Sequence, residues 1–204
     1  MTDLIEAIRG RRSTRKYLPK PVPFELVEKV LGAAGWAPSA HNSQPWRFIV
    51  LCNPLVKRDL ADSMAEVWAA DLIKDGKKVD LGMRKERGER FANSPVLILA
   101  CSTMEGLRKF PDEERQRCER DLAIQSFGAA MQNLLLTAYD MGLGACWYCA
   151  PGFCKKTVRK LLKIPYSVEP QAFVTLGYPA ETPSVLPKKS FPENCFLDVW
   201  ANKL

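Results

Sequence analysis

The run Val96-Leu97-Ile98-Leu99-Ala100-Cys101 constrains the fold more than any other stretch of the chain. A strand with one face in water alternates apolar and polar side chains, and this run has no polar position. It therefore reads as a strand buried on both faces, which other elements must cover on either side. It is far too short to span a bilayer. The second long apolar pattern is helical. Over residues 120–141, Leu122, Ala123, Phe127, Ala130, Met131, Leu134, Leu135 and Ala138 leave only a narrow polar face. That pattern predicts a central helix, buried in part against a partner subunit, with Gly142-Leu143-Gly144 as its cap.

Weaker signals fill in the rest. Residues 3–10 predict a helix with Leu4, Ile5 and Ile8 on one face and Thr2 or Asp3 as cap. Pro23 suits the first position of a helix over 23–34. Strands are expected over 47–52, 145–148 and 171–176, and helices over 55–73 and 154–162. Residues 75–90 are dense in Lys, Arg and Glu and read as an exposed helix or a mobile segment at a site entrance. Residues 103–117 read as a loop with a short polar turn. Pro183, Pro187 and Pro192 predict an extended arm over 179–204, of the kind that wraps a partner. A length of 204 residues suits a single domain, 1–204. Asp3, Glu6 and Arg9 interrupt any signal-peptide core, and the seven cysteines lack disulfide-framework spacing, so a cytoplasmic protein is expected.

The chemistry concentrates in two segments. Arg11-Arg12-Ser13-Thr14-Arg15-Lys16-Tyr17 packs cations around hydroxyls, with no acid between Ala7 and Phe24. A net charge of +7 is satisfied by a solvated surface, but the concentration over 9–20 is local and needs a local cause. Fixed cations and a serine hydroxyl are what a phosphate monoester requires. Ala37-Pro38-Ser39-Ala40-His41-Asn42-Ser43-Gln44-Pro45-Trp46 is a polar loop running into a strand, and Asn42 and Gln44 can match the paired donors and acceptors of a flat heterocycle. Together they suggest a phosphorylated, planar cofactor held by side chains. Other chemistries fit less well. Gly142-x-Gly144 follows a helix, and Trp147 stands where a dinucleotide motif needs its third glycine. The single histidine, His41, leaves no Ser-His-Asp or multi-His metal site. It reads as a loop residue or substrate contact more than as a general base, since no orienting acid is evident. Cys146, Cys149 and Cys154 lack an evident fourth ligand, so no metal is expected. Trp36, Trp46 and Trp147 are core residues or lie beside a flat cofactor.

Four motifs in order, R-R-S-x-R, A-P-S-x-x-N-x-Q-P-W, G-L-G-A-C-W and T-L-G-Y-P, cover nearly the whole chain and resemble the FMN-dependent nitroreductase superfamily. The resemblance implies an α+β fold, with a central mostly antiparallel sheet flanked by helices. It also implies an intertwined homodimer that exchanges C-terminal arms and carries two FMN sites at its interface. Gln125-Ser126, Gln132-Asn133-Leu134-Leu135-Leu136 and Cys146-Trp147-Tyr148-Cys149-Ala150-Pro151 are most similar to one branch. That branch is the nitroreductase-like C-terminal domain of the bacterial coenzyme F-420 γ-glutamyl ligase, which reduces a dehydro precursor of that deazaflavin. A free-standing version of the domain, or a relative with another substrate, would both fit.

Position by position, the resemblance implies Arg11 and Arg12 at the FMN phosphate and ribityl chain, with Ser13 as a hydroxyl donor. Arg15 is expected near the pyrimidine edge, as a stabiliser of reduced flavin. Pro38, Ser39 and Asn42 line the ring, Gln44 supports it, and backbone amides around Cys149, Ala150 and Pro151 approach flavin N5. With N5 as the reactive atom, no catalytic side chain is expected. Lys188 and Lys189 stand where the family often carries arginine, and Cys or Ala replaces the usual acid of the N5 loop. The implied activity is ping-pong transfer through FMN, from a reduced nicotinamide or deazaflavin to a deazaflavin-type or other small anionic or aromatic acceptor. A generic NAD(P)H-dependent nitro or quinone reductase is the alternative. A basic nucleic-acid-binding protein is the alternative of another class, but Tyr17 alone interleaves the cations of 9–20 with an aromatic ring. Neither nucleic acid nor membrane is expected as a partner.

Overall fold

The computed structural model describes residues 3–203; Thr2, one of the two candidate caps, and Leu204 lie outside them. Four strands form one sheet in the order β1-β2-β4-β3, with every neighbouring pair antiparallel. They are β1 (Trp46–Leu51), β2 (Val96–Thr103), β3 (Gly144–Tyr148) and β4 (Val168–Gly177). Every residue of β2 is buried. Its side chains alternate between two layers. Val96, Ile98 and Ala100 meet α2 (Phe24–Gly35) and α5 (Glu113–Asp140); Leu97, Leu99 and Cys101 meet α3 (Pro54–Lys74), α4 (Leu81–Ala92) and α6 (Lys155–Leu161). The period of two is present, but both of its phases are apolar. Each fully buried Leu here contributes about 1.5–3 kcal/mol. β4 does the same, sending Val174 and Leu176 to one layer and Phe173 to the other.

Several boundaries depart from the sequence reading. The long helix α5 starts at Glu113 and runs 28 residues, so part of the expected 103–117 loop is helical. Its first turns have no apolar stripe; a cap starts them instead. The Asp112 carboxylate accepts the Arg115 N–H at 2.9 Å, and those bonds to Arg115 hold its pKa below the ordinary value. Residues 75–90 resolve into the start of α4, capped by Asp80, whose carboxylate accepts the Met83 N–H at 2.8 Å. Pro23 is the cap of α2, one place before the position expected for it. The C-terminal arm is not extended throughout: Ser190 and Glu193 form a capping box on the one-turn helix α7 (Phe191–Asn194). Trp46 is buried and Trp147 half-buried, but Trp36 is 89% exposed and is no core residue. Leu4, Ile5 and Ile8 of α1 (Leu4–Gly10) are exposed in this chain, and only Ala7 of that helix is buried.

Candidate active site

The cationic segment is pinned to the start of β3. Ser13 bridges Ala145 in parallel, and the Thr14 N–H donates to the Ala145 carbonyl at 3.0 Å. Gly144 makes this approach possible, because a Cβ there would lie 2.6 Å from Thr14 Cγ2. The Tyr17 hydroxyl sits 2.6 Å from the Thr14 carbonyl and 2.6 Å from Thr175 Oγ1, and burial raises its pKa, so it stays a neutral phenol. Arg9, Arg11, Arg12, Ser13 and Arg15 then line a cleft of about 430 Å³, whose other wall includes Pro183, Leu186 and Lys188 of the arm. Arg12 is fixed by bonds to the carbonyls of Arg9 (2.6 Å) and Arg11 (2.8 Å). Arg15 donates to the Ser13 carbonyl at 3.2 Å. Among the described residues the buried Nε of Arg11 has no hydrogen-bond partner. The tertiary structure does bring an acid to the cluster: Glu181 accepts the Arg15 N–H at 3.2 Å and stands 3.8 Å from Lys16 Nζ. It is not among the residues lining the cleft, and neither is Lys189. The donor set fits a phosphate monoester: guanidinium groups, a hydroxyl, and a buried N–H with no acceptor.

The second segment sits elsewhere, against α5. The Gln44 N–H donates to Ser39 Oγ at 3.0 Å, and the Gln44 side-chain amide reaches Asn42 Oδ1 at 3.4 Å. His41, Asn42 and Gln44 take left-handed backbone, with φ of 55°, 53° and 45°. Each such residue costs on the order of 1–3 kcal/mol and persists only where the surroundings impose it. Here α5 imposes it. Ser126 Oγ accepts the Ala40 N–H at 3.1 Å, and Glu119 Oε1 lies 3.4 Å from His41 Nε2. Pro38, Asn42 and Gln44 remain exposed, and neither they nor Ser39 line the cationic cleft. Glu119 is the functional candidate that sequence reading missed. It is a buried acid 78 positions from the histidine it meets, and no local pattern signals that pairing.

The third segment follows the other end of β3. β3 is five residues long, so about 13 Å of strand lies between the end that holds the cleft and the end that precedes Cys149, Ala150 and Pro151. Cys149 is exposed, while Cys154 is buried and donates to the Ala150 carbonyl at 3.4 Å. Burial pushes the Cys154 thiol up to about 11 and the Cys101 thiol up to about 12. Among the described residues no group of three or more His, Cys, Asp or Glu is placed to hold a metal. Ala150 also borders an apolar cavity of about 360 Å³ walled by Met64, Trp68 and Phe91, with the Arg87 guanidinium 5.2 Å from the centre of the Trp68 ring. Nearby cations are partly neutralised: Arg84 pairs with Glu66 at 3.0 Å and Lys85 with Glu89 at 3.8 Å.

Comparison with known proteins identifies the family and the fold. The sequence pattern of the Nitroreductase family matches residues 8–178. A Methanothermobacter thermautotrophicus protein assigned as an NADH dehydrogenase/NAD(P)H nitroreductase is 34% identical over 201 residues, covering 97% of this chain and 88% of that one. A Desulfovibrio desulfuricans structure, assigned as a nitroreductase and solved in complex with FMN, is 25% identical at a TM-score of 0.73, covering 98% of this chain and 99% of that one. A BluB-like flavoprotein from Clostridium difficile shares the fold at a TM-score of 0.80 and 24% identity, covering 97% of this chain and 99% of that one. Among the described residues no helix is long and apolar enough to cross a membrane. The family match takes in the cationic segment, the 38–44 loop and all four strands, and the chain belongs to the nitroreductase family.

Proposed function

We propose that this protein is an FMN-dependent oxidoreductase acting as a homodimer, in which donor and acceptor use the same flavin face in turn. One observation carries the reading: a cleft of fixed cations that contains a buried arginine Nε with no acceptor of its own. Arg11, Arg12, Ser13 and Lys188 hold the phosphate there, and Arg15 favours negative charge at the pyrimidine edge. The backbone of Cys149, Ala150 and Pro151 would approach N5. Pro38, Ser39, Asn42 and Gln44 come from the second copy, because in one chain that loop and the cleft are apart. A single domain over 1–204, with 179–204 exchanged as an arm, accounts for the apolar side chains that one chain leaves uncovered. These include Leu4 and Ile5 on α1, Ile124 on α5, and Phe191, Val199 and Trp200 on the arm. When bound, reduced FMN supplies two electrons and one hydrogen to an acceptor.

Two acceptor classes are each supported by a specific observation. A deazaflavin-type polyanion, such as the dehydro precursor of coenzyme F-420, is supported by the C-W-x-C-A-P element. Arg87, and Arg90 at 5.9 Å from the Tyr148 ring centre, add positive charge near the N5 loop. A quinone or nitroaromatic, with NAD(P)H as donor, is supported by the apolar walls of the cavity beside Ala150 and by similarity to relatives assigned that activity.

The deciding experiment is to denature purified protein and identify what it releases. FMN is expected, and Arg11→Ala should weaken its binding by about 2–4 kcal/mol, roughly 30- to 1000-fold. Release of FAD, or wild-type affinity in the variant, refutes the site. Binding of the deazaflavin at low and high salt then separates the acceptors. Salt-sensitive micromolar binding selects the polyanion; no binding, with fast quinone turnover, selects the second class.

A further inference from the structure

His41 is the only histidine in the chain, and the fold gives it the acid partner that its sequence neighbourhood lacks. Glu119 is 5% exposed, with Oε1 3.4 Å from His41 Nε2. Its Oε2 accepts the backbone N–H of Arg108 at 3.2 Å, so the carboxylate is fixed from both sides. Ser126, two turns further along the same face of α5, holds the loop again through the Ala40 N–H. The histidine itself is at φ 55°, a conformation that its surroundings impose and that recurs at functional sites. With Nε2 on Glu119, the other ring nitrogen, Nδ1, faces elsewhere, and the side chain is 32% exposed.

Resting on the flavin reading above, we propose that His41 is the proton donor to the acceptor and that Glu119 is its positioning residue. Reducing a quinone to a hydroquinone takes two electrons and two protons. Bound flavin, once reduced by a donor such as NAD(P)H, would supply the electrons and one hydrogen. The second proton leaves His41 Nδ1 for the carbonyl oxygen, while the proton on Nε2 stays against Glu119. Water restores the Nδ1 proton at the exposed edge of the ring. The carboxylate fixes the rotation of the ring and holds the Nε2 proton in place during transfer. The same donor serves any flat acceptor whose oxygen or nitrogen gathers negative charge on reduction.

The test is anaerobic mixing of reduced protein with 1,4-benzoquinone or with ferricyanide. Quinone needs protons and ferricyanide takes electrons alone. His41→Ala and His41→Gln should lower the quinone-to-ferricyanide rate ratio by about 100-fold, and Glu119→Gln by about 10-fold. Added imidazole should restore part of the ratio in His41→Ala. If the histidine only shapes the loop, both rates fall together, and an unchanged ratio overturns the proposal. A second readout needs no turnover. The ring ¹⁵N resonances of this single histidine, measured in the apoprotein, should shift in Glu119→Gln; unshifted resonances refute the pairing. Protein that carries no flavin, with the resonances still shifted, refutes the cofactor reading and the donor role with it, and leaves the pairing standing.

Discussion

Gly144→Ala is the sharpest test of how the cofactor cleft is attached to the sheet. The added Cβ would lie 2.6 Å from Thr14 Cγ2, 2.7 Å from Thr14 Cβ and 2.9 Å from Thr14 Oγ1. Thr14 is 5% exposed and tied to β3 through its N–H and to Tyr17 through its carbonyl, so it has little room to yield. Overpacking of this kind costs about 1–3 kcal/mol. Displacing the Thr14 N–H from the Ala145 carbonyl adds about 1 kcal/mol. The sum, about 2–4 kcal/mol, lowers the melting temperature by roughly 5–15 °C for a domain of this size. The same displacement moves Ser13 and Arg15, so flavin affinity should fall along with stability. Differential scanning calorimetry and flavin fluorescence titration measure the two effects. Thr14→Gly removes all three clashing atoms, so the double variant should recover part of both losses, a coupling that a mutant cycle reads directly. A Gly144→Ala protein that melts within about 2 °C of wild type and keeps its flavin would show that the cationic segment does not depend on this contact.

Deleting residues 183–204 removes Lys188 and the arm wall of the cleft, together with apolar side chains that one chain leaves uncovered. Sedimentation should show loss of the dimer, and absorbance should show loss of flavin; a flavin-loaded truncated dimer would count against the exchanged arm. With iodoacetamide near pH 8, exposed Cys149, Cys52 and Cys118 should react. Buried Cys101 and Cys154, with thiols pushed up to about 12 and about 11, remain neutral and should stay silent. Bound flavin should slow Cys149 specifically, as peptide mapping would show, and Cys149→Ser protein should fold without stoichiometric zinc or iron.

Features that depend on near neighbours can be read along the chain. The apolar run of β2 is legible because a strand buried on both faces needs only its own side chains to say so. The clustered cations and the serine of 11–15 are legible because adjacent residues must share one site. The caps of α3 and α4 are equally local, since Asn53 and Asp80 act within three positions of themselves, yet the sequence reading placed no cap at either. The start of α5 was not legible, since its first turns are solvated on every side but one and leave no periodic signal. Tertiary structure alone decided what reaches the site from far along the chain. Glu181 and Lys188 return to the cations from beyond β4, and Glu119 crosses 78 positions to meet His41. Tertiary structure also removed Trp36 from the core, one of the two places read for it, because apolar character favours burial but only packing supplies a place for it. Local pattern records how much each residue gains from leaving water. Which distant group it then meets is set by how α5 and the arm cross the sheet, and that geometry belongs to the folded chain.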